Sequence, residues 1–234
     1  KTRKTYVLTS ATAVIGSGDW YVVKGEVTTT NLRVDGTAHL ILADGARLKA
    51  NGDGGRAGIE VGSGNSLFVY GQAHGTGELA ATGGEYAAGI GGNNGQTSGS
   101  VTINGGVIRA RSPDSAGSGI GGGWQGGFGA LTVNGGRVTA EGATWNAGST
   151  YAGAGIGTGG LAWGGGTVTI NGGMVTAVAG GSSADDIGRG GNPRGSGVRV
   201  VITGGSVLRR NNRGPRPVDA AGTQLFCVTV EGVS

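Results

Sequence analysis

Residue types able to bind or catalyse recur at matching places in this 234-residue chain, on either side of a short Ile-Gly motif. After the motif come Asn93, Asn94 and Gln96 in one copy, Trp124 and Gln125 in the next, then Trp163, then Arg189, Asn192 and Arg194. Before it come Glu85 with Tyr86, then Asp114, then Trp145, Asn146 and Tyr151, then the adjacent pair Asp185 and Asp186. Rings cover the apolar faces of pyranoses while amides and carboxylates hydrogen-bond their hydroxyls, so this is the equipment of a sugar-binding face. The candidate ligand-binding set is Trp124, Gln125, Trp145, Tyr151, Trp163, Asn93, Asn94, Asp185, Asp186, Arg189 and Arg194. A packing role competes with it. Trp124, Trp145 and Trp163 would then cover the ends of Gly-rich strands, and Asp185 and Asp186 would serve a polar turn beside glycine. An enzymatic reading would draw acids from Glu85, Asp114, Asp185 and Asp186, with Arg189 or Arg194 orienting an acidic sugar. Hydrolysis by such a set needs two carboxyls about 5 to 9 Å apart, and elimination needs a base with a charge-neutralising partner.

Other chemistries find little support. Gly155-Ile156-Gly157-Thr158-Gly159-Gly160 matches the dinucleotide-binding glycine pattern, but no helical sequence follows it, so the match is a by-product of the repeat. His39 and His74 are the only histidines and Cys227 the only cysteine, which leaves no spaced His/Cys set for a metal. The Asp185–Asp186 pair is a thin basis for calcium. The reading therefore carries no catalytic residue, no metal and no cofactor, and no nucleic-acid partner.

The elements that must position these residues are written in a repeat of about thirty residues. The motif (Ala/Ser)-Gly-Ile-Gly occurs at Ala88–Gly91, Ser118–Gly121 and Ala154–Gly157, with a variant at Asp186-Ile187-Gly188 and a degenerate copy at Ala57-Gly58-Ile59. An apolar-Thr-apolar strand followed by Asn-Gly-Gly occurs at Val101–Gly106, Leu131–Gly136 and Val168–Gly173, and Val200–Gly205 carries Thr203 in place of the asparagine. The offsets from the isoleucine to the Asn/Thr position are 14, 14, 15 and 16 residues, whereas the return to the next isoleucine takes 16, 22 and 16. One arm is nearly fixed, and the other absorbs an insertion around 144–151.

Each repeat thus offers three short strands, none long enough to stand alone. An apolar period of two puts Val101 with Ile103, Leu131 with Val133 and Val168 with Ile170 on one inward face. Stacking one turn on the next at ~4.8 Å yields parallel sheets with like residues in columns. Ile90, Ile120, Ile156 and Ile187 should form an internal column, and Asn104, Asn134 and Asn171 a corner ladder in which amides bond along the stack. Asn and Gly are both expected to take positive φ at that corner. Thr203 and Arg209 mark the last turn. The fold expected is all-β, a right-handed parallel β-helix of about seven coils and one domain over 1–234. Within it, 1–56 reads as an N-terminal cap with irregular coils, 57–210 as regular repeats, and 211–234 as a C-terminal cap or linker ending in the strand-like Leu225–Val230.

Composition agrees with that body and bounds its partners. Gly supplies 57 residues without a Gly-X-Y period, and only four prolines are present, so a collagen helix is excluded. A charged fraction of 14% with recurrent β-branched runs argues against disorder. The net charge of +4 concentrates in Lys1, Arg3, Lys4, Arg209, Arg210, Arg213 and Arg216. It would suit anionic glycans or a membrane surface, although basic ends on a repeat protein more often act as solubility caps. A single cysteine rules out an internal disulfide, and no apolar run reaches the roughly 20 residues of a membrane span. Lys1 opens the chain mid-pattern, as in a piece of something longer.

The coils read Gly-Ala-Gly-Ile-Gly and then Thr-Ile-Asn-Gly-Gly-x-Val-Thr-Ala, and over roughly residues 20–210 this resembles the Gly-rich β-helix repeats of large surface proteins of host-associated bacteria. The resemblance implies a pectate-lyase-like superfold, an extracellular address, secreted or at the cell surface, and an adhesin-like setting in which 222–231 leads to further modules. It implies no one activity, since that fold hosts lyases, hydrolases, adhesins and passive stalks. The expectation is a non-catalytic module binding a carbohydrate or host-surface ligand, followed by a purely structural spacer and, third, a polysaccharide-active lyase or glycosidase.

Overall fold

The short β-branched runs find their partners one coil away. The computed structural model describes residues 4–113, 115–146, 149–191, 194, 197–211 and 214; Asp114, Asn192 and the strand expected at Leu225–Val230, with Cys227, lie outside them. Three sheets result, all parallel. Sheet I has eight strands: Thr5–Val7, Trp20–Val23, Thr37–Leu42, Ser66–Gly71, Ser100–Ile103, Ala130–Val133, Thr167–Ile170 and Arg199–Ile202. Sheet II has seven: Glu26–Thr30, Arg47–Asn51, Glu78–Thr82, Val107–Arg111, Arg137–Glu141, Met174–Val178 and Ser206–Arg209. Sheet III also has seven: Val14–Gly16, Leu32–Asp35, Ile59–Glu60, Ile90–Gly91, Ile120–Gly121, Ile156–Gly157 and Ile187–Gly188. From Val14 onward the chain visits III, I and II in turn, seven times, and is a parallel β-helix.

The period-two pattern decides which side chains face in. Val101 pairs with Leu131 and Leu131 with Val168, Ile103 with Val133 and Val133 with Ile170, and all six are buried. Ile59, Ile90, Ile120, Ile156 and Ile187 pair successively in sheet III, which makes the expected column one coil longer. The buried residues of all three sheets form one continuous core from Leu8 to Val200. Each fully buried Val, Leu or Ile contributes about 1.5–3 kcal/mol against exposure, so no single strand has to be stable alone.

The two glycines of the Gly-Ile-Gly motif answer two different constraints. A Cβ on Gly119 would lie 2.4 Å from the backbone nitrogen of Glu141, because the chain turns into sheet III hard against the end of a sheet II strand. The glycine after the isoleucine takes φ of +137° to +145° at Gly91, Gly121, Gly157 and Gly188. Its missing side chain is also required, since a Cβ on Gly121 would sit 1.8 Å from the carbonyl oxygen of Gly157 in the next coil.

The Asn-Gly-Gly corner departs from expectation in one respect. Only its second glycine, at Gly106, Gly136, Gly173 and Gly205, takes positive φ, between 79° and 88°; Asn104, Asn134 and Asn171 do not. The glycine alone makes the turn, which leaves the asparagine for hydrogen bonding. Asn134 Nδ2 donates to Asn104 Oδ1 at 2.8 Å, Asn171 Nδ2 to Asn134 Oδ1 at 2.9 Å, and the Thr203 hydroxyl to Asn171 Oδ1 at 2.7 Å. Asn134→Ala removes two of these exposed bonds, and we expect a loss of about 1 kcal/mol, read as a lower denaturant midpoint at unchanged m-value.

The N-terminal coils carry the same register without the glycine motifs. Leu32 of sheet III pairs with Ile59. On the outer face of sheet I, Trp20, His39 and Phe68 stand in register and stack at centroid distances of 4.5 and 5.0 Å. That rank continues as Thr102, Thr132 and Thr169. At the other end, Arg209 takes the inward position of Ala177 and is buried.

Candidate functional site: the loops flanking sheet III

Because each regular sheet III strand is only two residues long, the loops before and after it close on one another. Ala88 N donates to Gly92 O at 3.0 Å, Ser118 N to Gly122 O at 3.1 Å and Ala154 N to Thr158 O at 3.1 Å. The loops also bond from coil to coil: Trp124 N donates to Tyr86 O at 2.8 Å, Gly95 N to Trp124 O at 2.9 Å and Gln125 N to Gly160 O at 2.8 Å. Positive φ at Tyr86 and Gln125, 62° and 61°, marks their corners. A fixed glycine-rich layer thus stands outside sheet III and carries the candidate side chains.

Four aromatic residues meet there. Tyr86 and Trp124 lie 5.2 Å apart, Trp124 and Trp145 meet edge to face at 4.9 Å and 85°, and Trp145 lies 5.6 Å from Tyr86 and 5.9 Å from Tyr151. Trp145 is 39% exposed, whereas Tyr86, Trp124 and Tyr151 are half-buried. The Trp124 indole N–H is buried with no hydrogen-bond partner among the described residues. The inserted segment holds the cluster together: Thr144 and Ala152 form an antiparallel bridge, and Trp145 N donates to Tyr151 O at 3.1 Å. Trp163 stands apart, 63% exposed, with the Arg194 guanidinium 5.9 Å from its ring centroid.

The remaining candidates divide into exposed and committed groups. Asn94, Gln96 and Gln125 are exposed. Asn93 is half-buried, and its Oδ1 accepts from Ala57 N at 2.8 Å. Asp185 is occupied by Arg189, whose backbone N donates to Oδ2 at 2.8 Å and whose Nε lies 3.7 Å away. Asp186 departs most from the surface role expected of it, because it is fully buried and accepts from Ala179 N at 2.9 Å, Asn211 N at 2.7 Å and Asn211 Nδ2 at 2.9 Å. It ties the last coil together and does not face solvent. Of the four acids considered for catalysis, Glu85 is left as an exposed one, since Asp114 lies outside the described residues. No group of three or more His, Cys, Asp or Glu that could hold a metal ion occurs among the described residues.

A second concavity, which sequence reasoning missed, lies at the corner between sheets I and II. The segment Gly71–Gly75 overhangs the turns at Asn104–Gly106 and Gly136, leaving a groove of about 400 Å³ that Arg137 and His74 also line. Asp44 anchors that overhang. Its Oδ2 accepts from the backbone N and Nδ1 of His74 at 3.1 and 3.0 Å, and its Oδ1 from Thr76 N at 3.2 Å. The donated backbone N–H of His74 is the main cause holding the Asp44 carboxyl below its usual value, opposed by desolvation and helped by the imidazole. The signal was legible in principle: Ala43-Asp44-Gly45 and Ala73-His74-Gly75 are one coil apart and occupy the same corner.

The geometry defines a class, a parallel β-helix with a loop-borne aromatic cluster. Comparison with protein-family models, curated proteins and solved structures finds no match to this chain.

Proposed function

We propose that the chain is a non-catalytic extracellular module of a bacterial surface protein, binding glycan or host matrix through the aromatic and amide side beside sheet III. The observation that carries this reading is the insertion at 144–151. Its described residues add nothing buried to the core, yet they bring Trp145 and Tyr151 against Tyr86 and Trp124. A segment serving only the solenoid would have no need of two more rings at the surface. Asn94, Gln96 and Gln125 supply exposed amides on the same layer of loops. The surface setting rests on the resemblance of the repeats alone.

The test is a glycan array of neutral and acidic polysaccharides probed with wild type, Trp145→Ala and Trp163→Ala, each first shown to melt like the parent. Removing a ring that stacks on a sugar is expected to weaken binding about tenfold, with the larger loss for Trp145→Ala. Silence across the array would move the assignment to the second reading, a structural spacer, which the continuous core and closed loop layer also suit.

A further inference from the structure

We propose that the groove between Gly71–Gly75 and the Asn-Gly-Gly corners binds the oxyanion of an acidic glycan, a carboxylate or a sulfate ester on a sugar. This site lies at the corner between sheets I and II and is independent of the aromatic cluster beside sheet III.

Two features bring hydrogen-bond donors into that groove. The asparagine ladder runs in one direction: each Nδ2 donates to the Oδ1 of the preceding coil, so the ladder ends at Asn104. The Asn104 Oδ1 is taken by Asn134, and its own amide nitrogen donates to no described residue. Asn104 therefore brings an unused donor to the groove that it lines. Arg137 lines the same groove and forms no ion pair among the described residues, because Glu78, two strands away along the rank Glu78–Val107–Arg137, is engaged by Arg47 at 3.2 Å and by Arg109 at 3.3 Å. The guanidinium suits a planar oxyanion, which it can meet with paired N–H groups.

His74 also lines the groove. Its backbone N and Nδ1 donate to Asp44, which fixes the ring, and Nε2 donates to a ligand only when the ring carries both protons. The Asp44 carboxylate is occupied by the loop's own donors, and Glu78 by Arg47 and Arg109. The floor is glycine: Gly105, Gly106 and Gly136 put no side chain between a ligand and the backbone. A groove with an amide donor and a guanidinium over bare backbone fits a charged sugar substituent, whereas a neutral hydroxyl would leave Arg137 without a counter-charge.

Isothermal titration at low ionic strength tests this with four probes: trigalacturonate, its methyl ester, a sulfated neutral disaccharide and sodium sulfate. Binding of trigalacturonate or of the sulfated disaccharide, with the methyl ester at least tenfold weaker than the free acid where the acid binds, is the expected result and shows which substituent is recognised. Arg137→Ala, at an exposed position, is expected to weaken that binding at least tenfold, and Trp145→Ala to leave it unchanged. The proposal is overturned if neither acidic sugar binds, if only inorganic sulfate binds, if the methyl ester binds as well as the acid, or if Arg137→Ala stays within twofold of wild type. A loss in Trp145→Ala with none in Arg137→Ala would likewise reject this groove and place recognition at the aromatic loops, so the two readings fail separately.

Discussion

Gly121→Ala is expected to destabilise the protein by about 3 kcal/mol or more, since it combines a strained backbone with overpacking against a neighbouring coil. Gly121 has φ +141°, and an added Cβ would stand 1.8 Å from Gly157 O and 3.0 Å from Phe128 Cδ2. The obstacle is backbone that itself belongs to the sheet III ladder, so it cannot rotate aside as a side chain would. Relief requires coils five and six to separate at that corner, which parts the last two coils from the first five. Gly164→Ala is the matched control: its φ is +79°, but nothing lies within 4 Å of the added atom. It should cost only about 1–2 kcal/mol, the ordinary penalty of a left-handed alanine. Equilibrium unfolding in guanidinium measures both, and equal midpoints for the two variants would refute the steric account.

The second large effect is expected at Asp186. Asp186→Ala leaves the buried Ala179 N–H without an acceptor, at about 1–3 kcal/mol, and also removes two hydrogen bonds from the more exposed Asn211. A loss of about 3 kcal/mol follows, with a distribution unlike that of Gly121→Ala. In a solenoid each coil touches only its neighbours, so the damage should stay in the last coil. Hydrogen exchange is the discriminating measurement: protection at 199–202 and 206–209 should fall, while 101–103 and 131–133 keep theirs. Asp186→Asn retains one acceptor oxygen and should recover part of the loss. Uniform loss of protection in all coils would contradict the local role.

The regular half of the fold was legible because its constraints are local. A glycine that must take φ near +140° leaves its mark in every coil, and so does an isoleucine whose column it follows. The asparagine ladder was legible for the same reason, though the turn it borders belongs to the second glycine. The first coils were harder to read. There Leu32 and Val34 do in sheet III what Ile-Gly does later, and aromatic stacking of Trp20, His39 and Phe68 takes the place of a threonine rank. No fixed residue type marks the position, so the period is visible only in the pairing of the strands. The site divided along the same line. Trp124, Trp145 and Tyr151 were expected on one side and meet there, because like positions in successive loops are neighbours. Adjacent Asp185 and Asp186 looked equivalent in sequence, but one points outward to Arg189 and the other into the core. The pairing of Asp44 with His74 required aligning corners that share only Ala and Gly.

The directional asparagine ladder makes one corner of the last four coils polar along the axis. Side-chain amides aligned head to tail add their dipoles, while the backbone hydrogen bonds around them lie along the same axis but run in both senses, as Ser98 N to Gly127 O and Ala130 N to Gly99 O do. Tension between the two ends would pull on those bonds lengthwise and load the weakest coil junction first. Tension across the axis would shear many bonds at once. A rod of this kind is stiff when bent and yields turn by turn when stretched, so the direction of a load would decide whether it behaves as a strut or as a spring.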